Sequence, residues 1–151
     1  MNRLSIFSLI LLLAPLASHG RELPADPGAA TPLWELKLGA HQYSIPTIDR
    51  GRMFLAADDS AVQRAGYEPT GGGVLMCVEQ ATGKLIWETP SPRYMEGVTP
   101  PFHFDQWRCG ICSKPQVDGE RVFAVGNRGE VLCVDRNNGA VVWRYDFIKE
   151  L

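Results

Sequence analysis

From Ser113 onward the chain alternates short apolar stretches with clusters of turn-forming residues. Residues 121–125, 130–135 and 140–145 each carry two β-branched side chains and 113–117 ends on Val117, and Asp118-Gly119, Asn127-Arg128-Gly129 and Asn137-Asn138-Gly139 separate them. Such runs predict strands, and Asp-Gly and Asn-Gly suit the hairpins between them because both tolerate positive φ. The pattern therefore predicts four consecutive antiparallel strands, the first innermost and the last outermost.

The same pattern occurs twice. Cys77-Val78-Glu79-Gln80-Ala81-Thr82-Gly83-Lys84-Leu85-Ile86-Trp87 returns as Cys133-Val134-Asp135-Arg136-Asn137-Asn138-Gly139-Ala140-Val141-Val142-Trp143, at an offset of 56 residues. The upstream half of the unit, Ser44-Ile45-Pro46-Thr47-Ile48-Asp49 with Arg52-Met53-Phe54, returns as Ser113-Lys114-Pro115-Gln116-Val117-Asp118 with Arg121-Val122-Phe123, at an offset of 69. The difference assigns an insertion to the first copy at residues 58–72, and a second insertion, 89–111, links the copies. Trp34 ends an earlier, partial copy. With the insertions removed the period is about 40 residues with several strands per unit, the spacing of propeller blades. A unit this small cannot bury its own apolar face and must stack on its neighbours. The expected fold is all-β: a partial β-propeller of four-stranded antiparallel blades, about two complete blades plus one terminal strand.

The motif of a small or Cys residue, an apolar residue, Asp or Glu, two variable residues, Thr or Asn, Gly, three more and Trp resembles the tryptophan-docking repeat of the pyrroloquinoline-quinone-like (quinoprotein-type) β-propellers, and its secreted bacterial members in particular. The resemblance covers residues 31–151. It implies that Trp34, Trp87 and Trp143 are buried between neighbouring blades, that Gly83 and Gly139 form the turns, and that Glu79 and Asp135 accept hydrogen bonds from turn amides. It also implies a ring of seven or eight blades, which needs roughly 280 residues or more. On that arithmetic the chain reads as an N-terminal fragment of a longer propeller. Pyrroloquinoline quinone and calcium enter only through the resemblance, and no cofactor is otherwise expected. Quinoprotein dehydrogenases carry adjacent cysteines over the quinone, whereas Cys109 and Cys112 are two residues apart.

Residues 1–20 read as a signal peptide: Arg3, an apolar run over 4–16, and Ser18-His19-Gly20 with small residues at the cleavage positions. The run is too short to span a bilayer, so no transmembrane span is expected in the mature chain. Residues 21–32, rich in Pro, Ala and Gly, read as a flexible tether, and 33–151 as the propeller. The expected location is periplasmic or secreted. A net charge of −2 argues against a general electrostatic grip on nucleic acid.

Four cysteines in an exported chain raise the question of disulfides. Cys77 and Cys133 hold equivalent positions on third strands and read as small packed residues. Cys109-Gly110-Ile111-Cys112 leaves open local pairing or free thiols, a disulfide, and redox or metal chemistry. Haem attachment is excluded because Ser113, not His, follows.

Candidate binding groups concentrate in the insertions, since long loops on a rigid scaffold commonly carry function. Both insertions belong to connections that leave a blade on one face. Arg93, Tyr94, His103, Trp107 and Arg108, spaced among prolines, are the candidate binding residues, against the alternative that the aromatics simply pack over the blade tops. His103 and Asp105 have no paired nucleophile, Asp58-Asp59 reads as a solvated turn rather than a cation site, and Gly71-Gly72-Gly73 follows no strand-to-helix pattern for a phosphate loop. The expected function is a noncatalytic exported binding or scaffold module whose partner is a protein or glycan. The alternative is the N-terminal fragment of a quinone-dependent dehydrogenase-like propeller.

Overall fold

The structure, a computed structural model, describes residues 8–10, 31–93, 108–126, 129–147 and 150. Ten strands are present among them and no α-helix. Strands β3 (Thr47–Asp49), β4 (Arg52–Asp58), β5 (Gly73–Glu79) and β6 (Leu85–Ser91) form one antiparallel sheet in sequence order. Strands β7 (Gln116–Asp118), β8 (Arg121–Val125), β9 (Glu130–Asp135) and β10 (Val141–Asp146) form the second. A separate pair joins β1 (Ser8–Ile10) to β2 (Glu35–Lys37), with Ser8 opposite Lys37 and Ile10 opposite Glu35. The remainder of the predicted leader and nearly all of the tether lie outside the described residues.

Two predicted boundaries move, each for a local reason. The inner strand of the second blade begins at Gln116 rather than Ser113. Pro115 has no N–H to give a ladder, and the Ser113 hydroxyl is engaged by the Val125 backbone, accepting from its N at 2.7 Å. The outer strand of the first blade runs on to Ser91, so the linking insertion starts at Pro92 rather than at residue 89. Thr89 and Ser91 are buried within that strand.

The first blade is buried on both faces. Along β4 and β5, Phe54, Ala56, Leu75 and Cys77 face the second blade, where they meet Val122, Ala124, Leu132 and Val134. The alternate residues Met53, Leu55, Ala57, Val74, Met76 and Val78 pack under Leu38, Val62, Trp34 and Leu36. Strands lying between two covered faces read as continuous apolar runs, as Met53-Phe54-Leu55-Ala56-Ala57 does. In the second blade only one face is covered, and Val125, Val141, Val142, Trp143 and Tyr145 are exposed.

Two indoles dock in the same way. Trp34 donates its Nε1–H to Gln80 O at 2.9 Å, and Trp87 donates to Arg136 O at 2.9 Å. Gln80 and Arg136 are equivalent positions of the repeat. Each ring lies on the glycine of the same turn: a Cβ on Gly83 would sit 2.5 Å from Trp34, and one on Gly139 would sit 2.6 Å from Trp87. Both glycines also have positive φ, +70° and +72°, a backbone that L side chains rarely adopt. Trp143 differs from what the resemblance implies. It is 45% exposed, against 6% for Trp87, because no strand of the described residues lies against its sheet face. Its local setting is nevertheless the same: Phe123 and Trp143 have ring centroids 6.0 Å apart, as do Phe54 and Trp87.

Inner-strand contacts and an ionic clasp complete the junction. Ser44 Oγ donates to Ser113 O at 2.8 Å, and Thr47 Oγ1 donates to Pro115 O. On the turn side, the Arg136 guanidinium holds Asp49 Oδ2 through Nε at 3.1 Å and Nη2 at 2.8 Å, and Arg52 donates to Arg136 O at 2.9 Å.

Cys77 is fully buried, and burial pushes its thiol up to about 11, opposed by the charges of Arg52 and Arg136. An unfolded thiol ionises near 9.0. The neutral thiol's contribution is therefore complete below that pH and lost as pH rises toward 11. Chemical denaturation across this window should show the wild-type midpoint falling more steeply than that of Cys77→Ala; identical slopes would show that the thiol is not linked to folding.

Candidate functional site

The strand register decides where the insertions emerge. Gly73 pairs with Asp58 on one side and with Ser91 on the other. The loop 59–72 and the start of the linking insertion therefore leave the first blade at the same end. The far root of that insertion returns to the same place: Ile111 N donates to Ala57 O at 3.3 Å, and a Cβ on Gly110 would lie 2.3 Å from Asp58 Cα.

Asp58 and Asp59 are not the solvated turn expected from sequence; both are fully buried. Asp58 gathers three segments. Its Oδ2 accepts from His41 N, its Oδ1 accepts from Ser60 N at 2.9 Å and from Ser60 Oγ, and its backbone abuts Gly39 and Gly110. Asp59 ties the loop across its base, with Oδ2 accepting from Thr70 N and Thr70 Oγ1 at 2.6 Å each and from Tyr67 OH at 3.2 Å. Burial, and then the Asp59 charge, raise the Tyr67 phenol well above its ordinary range. Arg64 lies over the Tyr67 ring at 5.8 Å and pairs with Glu88 of β6. Buried carboxylates persist when hydrogen-bonded, as both oxygens of Asp58 and Oδ2 of Asp59 are; Asp59 Oδ1 has no partner among the described residues. The loop is thus a braced platform rather than an open excursion.

Of the candidate binding residues, Arg93 and Arg108 are described; Tyr94, His103 and Trp107 lie outside the described residues. Arg93 follows Ser91 and Pro92 across the platform, its Cδ 4.0 Å from where a Cβ of Gly71 would be. Arg108 is exposed, with φ +52°, at the insertion's other root. The structure brings these two guanidinium-bearing roots to one blade end. The second blade contributes Glu130, which is fully buried, accepts from Ser91 Oγ, and lies 3.2 Å from Arg144 Nε. Sequence reading missed Ser91 and Glu130 and took the buried Asp58 and Asp59 for a solvated turn. The one available signal was Asp58-Asp59-Ser60, since an Asp accepting from the amide two residues on is a common turn device.

The turn carboxylates lie at the opposite end of the blades. Asp135 Oδ1 accepts from Asn137 N at 2.8 Å and Asn138 N at 3.3 Å. Glu79 accepts from the Thr82 hydroxyl, not from an amide. Cys109 is buried and Cys112 exposed, both as free thiols. Among the described residues, no three His, Cys, Asp or Glu side chains converge as a metal-binding group. Among the described residues, Cys109 and Cys112 are two residues apart and so do not form an adjacent cysteine pair. No helix of the described residues is long and apolar enough to cross a membrane.

A family model described as outer membrane protein assembly factor BamB matches residues 65–150, more than half of the chain. The chain belongs to this pyrroloquinoline-quinone-like repeat family. Among solved structures it is similar to BamB from Moraxella catarrhalis at 17% identity and a TM-score of 0.49, over 77% of this chain and 27% of that one. It is similar to a europium-containing methanol dehydrogenase at 15% identity and a TM-score of 0.49, over 77% of this chain and 19% of that one. A third is the quinohemoprotein alcohol dehydrogenase ADHIIG from Pseudomonas putida HK5, at 13% identity and a TM-score of 0.46, over 78% of this chain and 22% of that one. The chain thus spans about a quarter or less of the length of these structures. No curated protein sequence matches it. The repeat family accounts for the doubled Cys-to-Trp motif and for the two sheets.

Proposed function

We propose that this member of the pyrroloquinoline-quinone-like repeat family is an exported, periplasmic or secreted, noncatalytic module that binds a protein through its insertion-bearing face. The observation that carries the reading is the common origin of loop 59–72 and of both roots of the linking insertion at the Asp58–Gly73–Ser91 end of the first blade. Braced loops of this kind lose little entropy on binding, and arginine is enriched at interface hot spots. The family's description as an assembly factor favours a protein over a glycan as ligand. A dehydrogenase would need a quinone site, and among the described residues neither an adjacent cysteine pair nor a cluster of metal ligands supports one.

The test is site-specific photo-crosslinking of the full chain in cell envelopes of the source organism. A photoreactive residue replacing Glu68 on the insertion-bearing face is expected to give a discrete protein adduct. One replacing Asn138 on the opposite face is expected to give none. Adducts only from position 138, or none from either, would overturn the reading, as would dye reduction dependent on added pyrroloquinoline quinone and calcium.

A further inference from the structure

We propose that Cys109 and Cys112 form an intrachain disulfide that fastens the root of the linking insertion onto the first blade. The inference is independent of what the insertion-bearing face binds. Both residues between the cysteines are pinned. Ile111 is fully buried in the interblade core, where Gly73 leaves room for its side chain, and its amide is bonded to Ala57 O at 3.3 Å. Gly110, at φ +65°, lies so close to the Asp58 backbone that a Cβ would come within 2.3 Å of it. With those two residues held down, the chain turns back on itself, and Cys112 Sγ comes to 3.7 Å from Cys109 O and 3.9 Å from Gly110 O. The Cys112 thiol is raised by burial first, and next by the charge and hydrogen bond of Cys109, in keeping with that turn.

The same facts decide between the chemistries that a Cys-x-x-Cys pair can perform. A catalytic dithiol needs a thiolate of lowered pKa, and a stabilised thiolate also makes the corresponding disulfide oxidising and easily lost. Cys112 is shifted the other way, which suits a bond that stays formed. A structural zinc site would need two further ligands, and none converge on the pair among the described residues. Cys77 and Cys133, buried on β5 and β9, are set apart as packed thiols and serve as internal controls.

Formation breaks two S–H bonds and makes one S–S bond. The two electrons and two protons pass to an oxidised thiol partner, such as glutathione disulfide, whose own S–S bond becomes two thiols. Cys112, the exposed member, is the one reached first by the oxidant; the buried Cys109 then closes the bond and releases the mixed-disulfide thiol.

The full chain, equilibrated in a glutathione redox buffer of oxidising poise, is unfolded, alkylated with iodoacetamide without reductant, digested and weighed. The expected result is a 109–112 peptide lighter by two hydrogens and unlabelled, with Cys77 and Cys133 both labelled. Labelling of both Cys109 and Cys112, or a bond from either to Cys77, Cys133 or another chain, overturns the proposal. Amide hydrogen exchange at Ile111 tests the fastening separately. Exchange should be several-fold slower in the oxidised than in the reduced protein, and equal under both conditions in Cys112→Ser. Equal exchange in oxidised and reduced wild type would show a bond that fastens nothing.

Discussion

Trp87→Ala should lower the unfolding free energy by about 3–5 kcal/mol, the usual cost of truncating a large buried aromatic. The indole is 6% exposed, donates to Arg136 O, and fills the core shared by Phe54, Leu75, Leu132 and Val134. Its removal leaves a cavity between two sheets and takes one of two donors, the other being Arg52, from a carbonyl of the next blade. Trp143→Ala, at an equivalent sequence position but 45% exposed, should cost about 1 kcal/mol or less, as surface substitutions do. Denaturant titration of the full chain, followed by far-ultraviolet circular dichroism, measures both. Equal losses would mean that position in the repeat, not burial, sets the energy. A double-mutant cycle sharpens the test. Gly139→Ala places a Cβ 2.6 Å from the Trp87 ring at φ +72°, so it carries both a clash and a backbone cost. In the Trp87→Ala background the clash with the ring vanishes, leaving the 2.9 Å approach to Thr89 Oγ1 and the left-handed strain of about 1–2 kcal/mol. The two costs should therefore be less than additive.

Arg136→Met is expected to cost about 1–3 kcal/mol. The guanidinium is 6% exposed and binds Asp49 through two nitrogens, and it also donates to Asp49 O at 3.2 Å. Breaking a fully buried pair commonly costs about 3–5 kcal/mol because the remaining charge is stranded. Asp49 is 31% exposed, so water recovers part of that penalty. Arg136→Lys should not restore the loss, since an ammonium cannot reproduce a two-nitrogen grip on one carboxylate or the stacking over Phe54 at 5.8 Å. The same denaturation assay decides, and full recovery by lysine would show that charge alone holds the hairpins together.

Much of the fold could be read before any coordinates. The strands at 121–125 and 130–135 coincide with β8 and β9, because Gly119, Gly129 and Gly139, all at positive φ, end the runs where turn chemistry requires. Their signals are local: a β-branched run and its turn residue are neighbours in the chain. The shortened β7 and lengthened β6 escaped because their ends are set by partners elsewhere, the Val125 backbone for Ser113 and the strand β5 opposite Thr89 and Ser91. The candidate face was legible only in outline. Its loops were placed on one side by strand order, while the carboxylates that brace them looked like surface residues.

The sequence by itself determined the repeat, the four-strand unit, the docking glycines and the insertions, since spacing, turn chemistry and side-chain alternation act within one unit. Only the tertiary structure decided which of three equivalent tryptophans are docked, that Asp58 and Asp59 lie inside, and that Cys109 and Cys112 flank a pinned turn. Burial is a property of what packs against a residue. Asp58 is covered by residues 39–41 and 110, segments distant along the chain that meet it only once the blades are formed.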